Sequence, residues 1–408
     1  MLGTAIIKNV VIMTVPRPKQ KILLIAQNIP QVYVALALLP KLDAQFADSK
    51  IVVLTRAKHF QHFESDAIFC KGKSKPFLID EWPVREEMTG FSLVLCIGHS
   101  YFLSEELLHH LTHVDCPVYW INAHFEQADL IRWCQRKLVI TDIFLGVFYE
   151  NHEDRQVLSE TGFSDQQLHF VGSAKFDCAA ASLWQIAHAR TSLNAIQMNG
   201  HAENSITLVA ASIAEIKEMA LIVNAYHALT LQHPNLFLIL APRSLERIEE
   251  FGNWMEQRNF HYHRSSGSHC TPCPILLVDE VGILKGYYYS ADIAIMGRSF
   301  YASSGGGSNL LEPAAAALPI VCGPYMDGFK AITSLFLQQQ AVLQLSTPEQ
   351  LLACLRQLLG NPSVSTGYGD KAKSLLQKHT GALESTVRQL GEMCDALGPD
   401  AHLPLVSV

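Results

Sequence analysis

The chain is short of charge. Of its 408 residues only 17% are charged while 49% are hydrophobic, a balance that excludes intrinsic disorder and allows a sizeable core. No excess of one sign stands out, with 31 Lys and Arg against 38 Asp and Glu and a net charge of −7. A dedicated nucleic-acid binder would carry a basic excess or stripe, and an anionic membrane exerts no general pull on such a chain. The ten cysteines are too dilute for a disulfide scaffold. Several sit in apolar runs, as Cys96 and Cys322 do, and read as free buried thiols of a reducing compartment. Long hydrophobic runs are also missing. The apolar stretch 5–13 is broken by Lys8 and Asn9 and lacks the basic start and cleavage site of a signal peptide. No segment reaches the roughly 18 apolar residues of a membrane span. A cytoplasmic protein is expected, meeting membranes at most peripherally.

What is present is alternation. Short, almost continuously apolar runs at 21–25, 50–54, 93–97, 118–121 and 168–171 are separated by segments of helical spacing such as 32–42. Continuous rather than alternating runs are the mark of parallel strands covered on both faces. A second series follows at 206–211, 236–240, 275–278, 293–296 and 319–322. Strand and helix in alternation imply doubly wound α/β sheets, and at roughly 150 residues per domain the length accommodates more than one. The reading is two Rossmann-like domains facing a central cleft: 1–172, a hinge or linker over 173–204, and 205–408 with C-terminal helices. From Pro348 to Leu397 the pattern is helical, and this stretch is expected to cross back and brace the first domain.

The most informative segment is Gly305-Gly306-Gly307-Ser308-Asn309-Leu310-Leu311-Glu312-Pro313. A glycine run entering a helix lets a phosphate approach the backbone, and the helix start favours an anion. Ser308 or Asn309 is the expected cap, and Glu312 is placed to accept hydrogen bonds from ribose hydroxyls. The competing reading is an ordinary loop before a capped helix. Three other signals are weak. Gly72-Lys73-Ser74 ends like a P-loop but has Ala67 where the first glycine belongs. His269-Cys270-Thr271-Pro272-Cys273 is half a zinc site without a second half. His109, His110 and His113 read as surface histidines. No metal and no cofactor is expected.

Several segments resemble, in order, the signatures of the Kdo transferases, which attach 3-deoxy-D-manno-octulosonic acid to lipid A precursors. The glycine segment is similar to that family's Gly-Gly-His-Asn-Pro-Leu-Glu-Pro, and Gly323-Pro324-Tyr325-Met326-Asp327-Gly328-Phe329 to its Gly-Pro-His-x-x-Asn-Phe. Pro242-Arg243-Ser244-Leu245-Glu246-Arg247 resembles Pro-Arg-His-Pro-Glu-Arg, Ala211-Ser212 the start of Ala-Ser-Thr-His, and Asp279-Glu280-Val281-Gly282 the Asp-x-x-Gly run. Gly172-Ser173-Ala174-Lys175-Phe176-Asp177 resembles Gly-Asn-Leu-Lys-Phe-Asp, and Ile121-Asn122-Ala123-His124 resembles Ile-Asn-Ala-Arg. The resemblance implies a GT-B fold and a CMP-sugar donor, with Lys175, Ser212, Arg243, Gly306, Gly307, Ser308, Asn309 and Glu312 around the nucleotide. The acceptor it implies is a lipid A precursor or another glycan. For Arg243 a surface ion pair with Glu246 or Glu249 is the alternative.

Most of the departures fall in the first half; in the second, the family's histidine before Asn309 is Ser308. The family begins with a hydrophobic anchor that is missing here. Its Gly-Glu general base falls in register with Gln31, and an amide cannot take a proton. Its Glu-Thr-Glu falls near Gly98-His99-Ser100, and its Arg after Asn-Ala is His124. If the protein is catalytic, His99 and His124 are the nearest replacement bases by register, against a structural or carboxylate-binding role for each. Three functions follow: a Kdo-transferase-like inverting enzyme, a non-catalytic nucleotide- or sugar-binding homologue, or a GT-B enzyme with another nucleotide-sugar.

Overall fold

Every run read as a parallel strand is one. In a computed structural model the structure describes residues 4–7, 10–13, 20–47, 49–56, 75–79, 90–125, 140–180, 186–191, 205–267 and 273–397. The chain divides into two compact units, Met1–Cys178 with Gly381–Val408, and Ala179–Thr380.

The first unit opens with an antiparallel pair, β1 (Thr4–Ile7) and β2 (Val10–Met13). A seven-stranded sheet follows: β3 (Lys21–Ile25), β4 (Lys50–Arg56), β5 (Lys75–Ile79), β6 (Leu93–His99), β7 (Val118–His124), β8 (Gly146–Tyr149) and β9 (Leu168–Phe170). Its order is β5-β4-β3-β6-β7-β8-β9, all parallel. Strand β3 shows why its residues after Lys21 must all be apolar. Ile22 and Leu24 join one core with Ile51, Val53 and Leu95, while Leu23 and Ile25 join another with Val52, Leu54 and Trp120. Successive side chains point to opposite faces, so a strand covered on both sides has no solvent-facing positions.

The first face is covered by α1 (Ile29–Gln45) and by the chain's last helix, Ala382–Leu397. Lys41 of α1 pairs with Glu384 at 2.6 Å. Asp177, the end of the Lys-Phe-Asp stretch, receives the backbone N–H groups of Gly381 (2.9 Å) and Ala382 (3.2 Å), and so caps the returning helix. The opposite face is covered by Glu105–Leu111 and by α2 (His152–Glu160).

The second unit has its own seven parallel strands: β10 (Ile206–Ile213), β11 (Leu236–Pro242), β12 (His263–Arg264), β13 (Ile275–Leu277), β14 (Ile293–Met296), β15 (Ile320–Cys322) and β16 (Leu343–Gln344). The order is β12-β13-β11-β10-β14-β15-β16. Its main core packs β10, β11 and β14 against α3 (Ile216–Thr230), Ile248–Glu256 and Leu351–Gly360. The helical stretch foreseen over 348–397 is broken at Asn361-Pro362 and at Thr380-Gly381. Proline continues a helix badly but starts one well.

Among the described residues no helix is long and apolar enough to cross a membrane. Cys96, Cys116, Cys273 and Cys322 are free and buried, and burial pushes each thiol upward.

Candidate functional site

In open parallel sheets, ligands bind beyond the carboxyl ends of the strands where the strand order reverses. In the second unit that point lies between β10 and β14. Ser212 near the end of β10 adopts a left-handed φ of 58° at a register shift against β11. Gly297, after β14, donates its N–H to the Ala211 carbonyl at 2.7 Å. A Cβ on Gly297 would lie 2.8 Å from the carbonyl oxygens of both Ala211 and Ser212, so glycine alone permits this approach of the two strand ends. Glu218, fully buried in the first turn of α3, ties the same loops together. One carboxylate oxygen accepts from Ala214 N–H at 3.0 Å, and the other from Ser299 N–H (3.2 Å) and Phe300 N–H (3.3 Å). Burial raises its proton affinity and the amide hydrogen bonds oppose that rise.

The glycine loop follows. Gly305, Gly306 and Gly307 have φ of 104°, 77° and 92°, a backbone that L side chains rarely adopt. Arg298 stabilises it from one side, its guanidinium donating to the Gly305 carbonyl at 2.7 Å and its own carbonyl accepting Gly307 N–H at 2.6 Å. From the other side Gly328 N–H donates to the Gly306 carbonyl at 2.8 Å, which joins the loop to the Gly323–Phe329 segment. Ser308 is buried, its hydroxyl donating to the Gly297 carbonyl at 3.2 Å. The expected cap is corrected here. The helix α5 (Leu311–Ala315, with α4 being Leu284–Tyr288) has Leu310 at its N-cap. Asn309 instead accepts Leu311 N–H at 3.1 Å. At five residues α5 contributes little dipole.

Behind the loop, Glu312 stands 4.0 Å from Lys285 of α4, with side chains 24% and 10% exposed. Burial raises the Glu312 carboxyl, opposed by the positive charges of Lys285 and Arg243. Arg243, beyond β11, anchors its backbone N–H to the Ile213 carbonyl at 2.8 Å. The competing ion pair with Glu249 is not formed, because Arg264 holds that carboxylate with two bonds of 2.7 and 2.9 Å. Arg243 is exposed and, among the described residues, forms no ion pair. Ser212, Arg243, the glycine loop and Glu312 therefore share one end of one sheet.

The first unit reverses its order between β3 and β6, and two of the departures from the family, Gln31 and the His99 segment, fall there. Gln31 is 4% exposed. Its Oε1 accepts Gln27 N–H at 2.5 Å, and its backbone N–H donates to the capping Asn28 at 2.9 Å. Its Nε2 is buried without a partner. Gly98, at φ 106°, makes room for it, since a Cβ there would collide with the Gln31 amide. Next to Gly98, His99 has a buried Nδ1 without a partner. Burial first, then the positive charges of Lys175 and His124, lower its pKa to about 3 against an opposing Asp154. Its register partner on β7 is His124, whose ring centroid is 4.7 Å away. His124 Nδ1 lies 2.9 Å from Asp154 Oδ1. Lys175 also belongs to this unit, and its Nζ lies 3.4 Å from Glu150.

Asp154, Glu150, Glu218, Lys285 and Arg298 were not singled out from the sequence. Two carried a readable signal, an acidic residue at the third helical position: Asn151-x-x-Asp154 forms a capping box, and Glu218 reaches back to Ala214. Lys285 carried none, since it acts on Glu312, distant in sequence. His109 and His110 lie on Glu105–Leu111, with His113 just beyond. Gly72-Lys73-Ser74, His269 and Cys270 lie outside the described residues. Among the described residues no group of three or more His, Cys, Asp or Glu could hold a metal ion.

No protein-family model matches the chain. Over 286 residues it is 27% identical to the 3-deoxy-D-manno-octulosonic acid transferase of Bordetella pertussis, covering 67% of this chain and 63% of that protein. It is 25% identical over 296 residues to the enzyme of the same name from Haemophilus influenzae, covering 71% and 67%. The chain thus spans about two thirds of these relatives' length. Among solved structures, UDP-GlcNAc 2-epimerase from Neisseria meningitidis, bound to UDP-GlcNAc, superposes with a TM-score of 0.59 at 12% identity, over 92% of this chain and all of that one. This likeness and the two doubly wound sheets identify the fold as GT-B. Read with the motif series, the chain is a divergent relative of the Kdo transferases.

Proposed function

We propose that the protein is a glycosyltransferase that takes Kdo or a related acidic sugar from a CMP-linked donor and attaches it to a lipid A precursor or another glycan. The observation that carries this reading is the convergence of Ser212, Arg243, the Gly305–Gly307 loop and Glu312 at the order reversal of one sheet. The glycine backbone admits the single phosphate of CMP. Arg243, exposed and without an ion pair, offers a planar fork for that phosphate or for the sugar carboxylate. Glu312 accepts from the ribose hydroxyls. In the inverting reaction the acceptor oxygen bonds to the anomeric carbon while the bond from that carbon to the phosphate oxygen breaks. CMP leaves with the electron pair, stabilised by positive groups positioned before the reaction. Work at the inner face of the inner membrane through peripheral contact suits a lipid-linked acceptor.

A second reading is a non-catalytic sugar- or nucleotide-binding homologue, favoured by the single observation that a buried amide, Gln31, stands where the family's base is expected. A panel of CMP- and UDP-linked sugars, assayed for nucleotide release with and without a lipid A precursor, separates the readings. Release of CMP from CMP-Kdo that rises with acceptor supports the transferase. Turnover of a UDP-sugar alone contradicts the donor assignment.

A further inference from the structure

The missing carboxylate leaves the acceptor's proton without an obvious destination, and two histidines stand at the carboxyl ends of neighbouring strands. We propose that His124, oriented by Asp154, takes that proton through its Nε2 atom. This rests on the transferase reading above.

The two imidazoles are not equivalent. His99 has no carboxylate partner, and with a pKa near 3 it binds protons too weakly to serve as a base around neutral pH. His124 has a carboxylate at Nδ1, 2.9 Å away. Asp154 is 2% exposed while the His124 side chain is 30% exposed, so the carboxylate is inside and the ring reaches the surface. Asp154 is also fixed in place. Its Oδ1 accepts Phe125 N–H at 3.1 Å, its Oδ2 accepts Asn151 N–H at 3.2 Å, and its own N–H donates to Asn151 Oδ1 at 2.9 Å. With Nδ1–H held on Asp154, Nε2 carries the lone pair. A carboxylate behind the ring sets the tautomer and stabilises the imidazolium that forms.

Every charged group facing His124 bears on its basicity. The hydrogen bond to Asp154 raises it most, burial lowers it, the charges of Asp154 and Glu150 raise it further, and Lys175 lowers it. The neutral His99 ring meets it edge-on. The net direction is upward, as a carboxylate partner at Nδ1 produces. In the step itself, the acceptor's O–H proton passes to Nε2 as its oxygen bonds to the anomeric carbon. The anomeric bond to phosphate breaks, CMP carries away the pair, and the imidazolium then releases its proton to water. Asp154 keeps its contact to Nδ1 and acts as a positioning residue.

The test uses the full chain as wild type, His124→Gln, Asp154→Asn and His99→Gln, with CMP as the calorimetric probe and CMP-Kdo plus a lipid A precursor as substrates. We expect His124→Gln to lose about 10²- to 10⁴-fold in transfer with CMP affinity unchanged. Asp154→Asn should lose less and move the acid limb of the pH–rate profile to lower pH. The His124 imidazole resonances should titrate lower by the same shift, and that agreement with the rate profile is what a merely structural pair would not give. Transfer that survives His124→Gln, or collapses only in His99→Gln, overturns the dyad and leaves the transferase standing. CMP binding without transfer in the wild type overturns the dyad and leaves the donor site. Absence of CMP binding together with absence of transfer overturns both. If Asp154→Asn fails to fold, His124→Gln decides alone, since its part-exposed side chain caps nothing.

Discussion

The two sheets have the same arrangement: seven parallel strands whose order reverses beside the first strand, with the functional candidates at the reversal. They differ in what builds that point. In the second unit the work is done by backbone: three consecutive left-handed glycines, a fourth glycine admitting close strand ends, and a buried Glu218 bonded only to amides. In the first unit it is done by side chains: the Gln31 amide, two imidazoles and the Asp154 carboxylate. A backbone cradle is hard to alter without loss of fold. A side-chain constellation changes chemistry by single substitutions. The departures in register at Gln31, His99 and His124 are all side-chain changes in the first unit.

The comparison can be broken most forcefully by exchanging bases within the first unit. Placing Gln31→Glu in the His124→Gln background returns a carboxylate to the family's register. Its Oε1 keeps the Gln27 N–H, while its other oxygen occupies the partnerless position of Nε2. A buried carboxylate costs stability and protonates readily, so recovery should be partial, about 10-fold or more of the ~10²- to 10⁴-fold that a base supplies. Single-turnover transfer measures it. No recovery with the protein folded and CMP bound would mean that position 31 no longer faces the acceptor.

Next come the glycines. Gly307→Ala combines a φ of 92° with a Cβ 2.5 Å from the Met326 sulfur, and Gly98→Ala combines 106° with collision against Gln31. Each should cost about 1–3 kcal/mol from backbone strain, read by denaturant unfolding. The flexible methionine and glutamine can shift, but the backbone cannot. The two variants should part in function: Gly307→Ala weakens CMP binding, whereas Gly98→Ala leaves it unchanged. Equal loss of CMP affinity in both would erase the division between the units.

The smallest effect is a pH dependence confined to the first unit. The folded His99 stays neutral down to about 3, while the unfolded chain binds its proton near the ordinary 6.5. Below 6.5 the unfolded state therefore holds more protons, so stability falls as pH drops from 6.5 toward 3 and is restored as pH rises. For a part-exposed ring the discounted contribution is on the order of 1 kcal/mol at pH 5. His99→Gln should flatten the fall in thermal unfolding between pH 7 and 5, and an unchanged slope would remove His99 as its source.

Much of this architecture was legible because burial on both faces writes itself as uninterrupted apolar runs, as in Lys21–Ile25 and Leu236–Pro242. The unread strands were mostly short, although Lys75–Ile79 is as long as Lys21–Ile25. His263–Arg264 and Leu343–Gln344 are two-residue edge strands that exist only through pairing, and Gly146–Tyr149 is four residues long. At the site, glycines were readable because their conformational role is local, and Gln31 because one amide replaces one acid in register. The Asp154 contact to His124 and the Lys285 contact to Glu312 join residues 30 and 27 positions apart, a closeness that only the folded sheet creates. Lys175 was expected at the nucleotide from its motif, yet its charge is paired with Glu150 inside the first unit.

The central claim is that the second unit holds CMP at its order reversal. Isothermal titration of CMP into wild type, Arg243→Ala and Glu312→Ala tests it most directly. Charge-assisted hydrogen bonds contribute about 1.5–3 kcal/mol, so each variant should bind roughly 10- to 100-fold more weakly, with the exposed Arg243→Ala unfolding at the wild-type temperature. Wild-type affinity in both variants would contradict the assignment of this site.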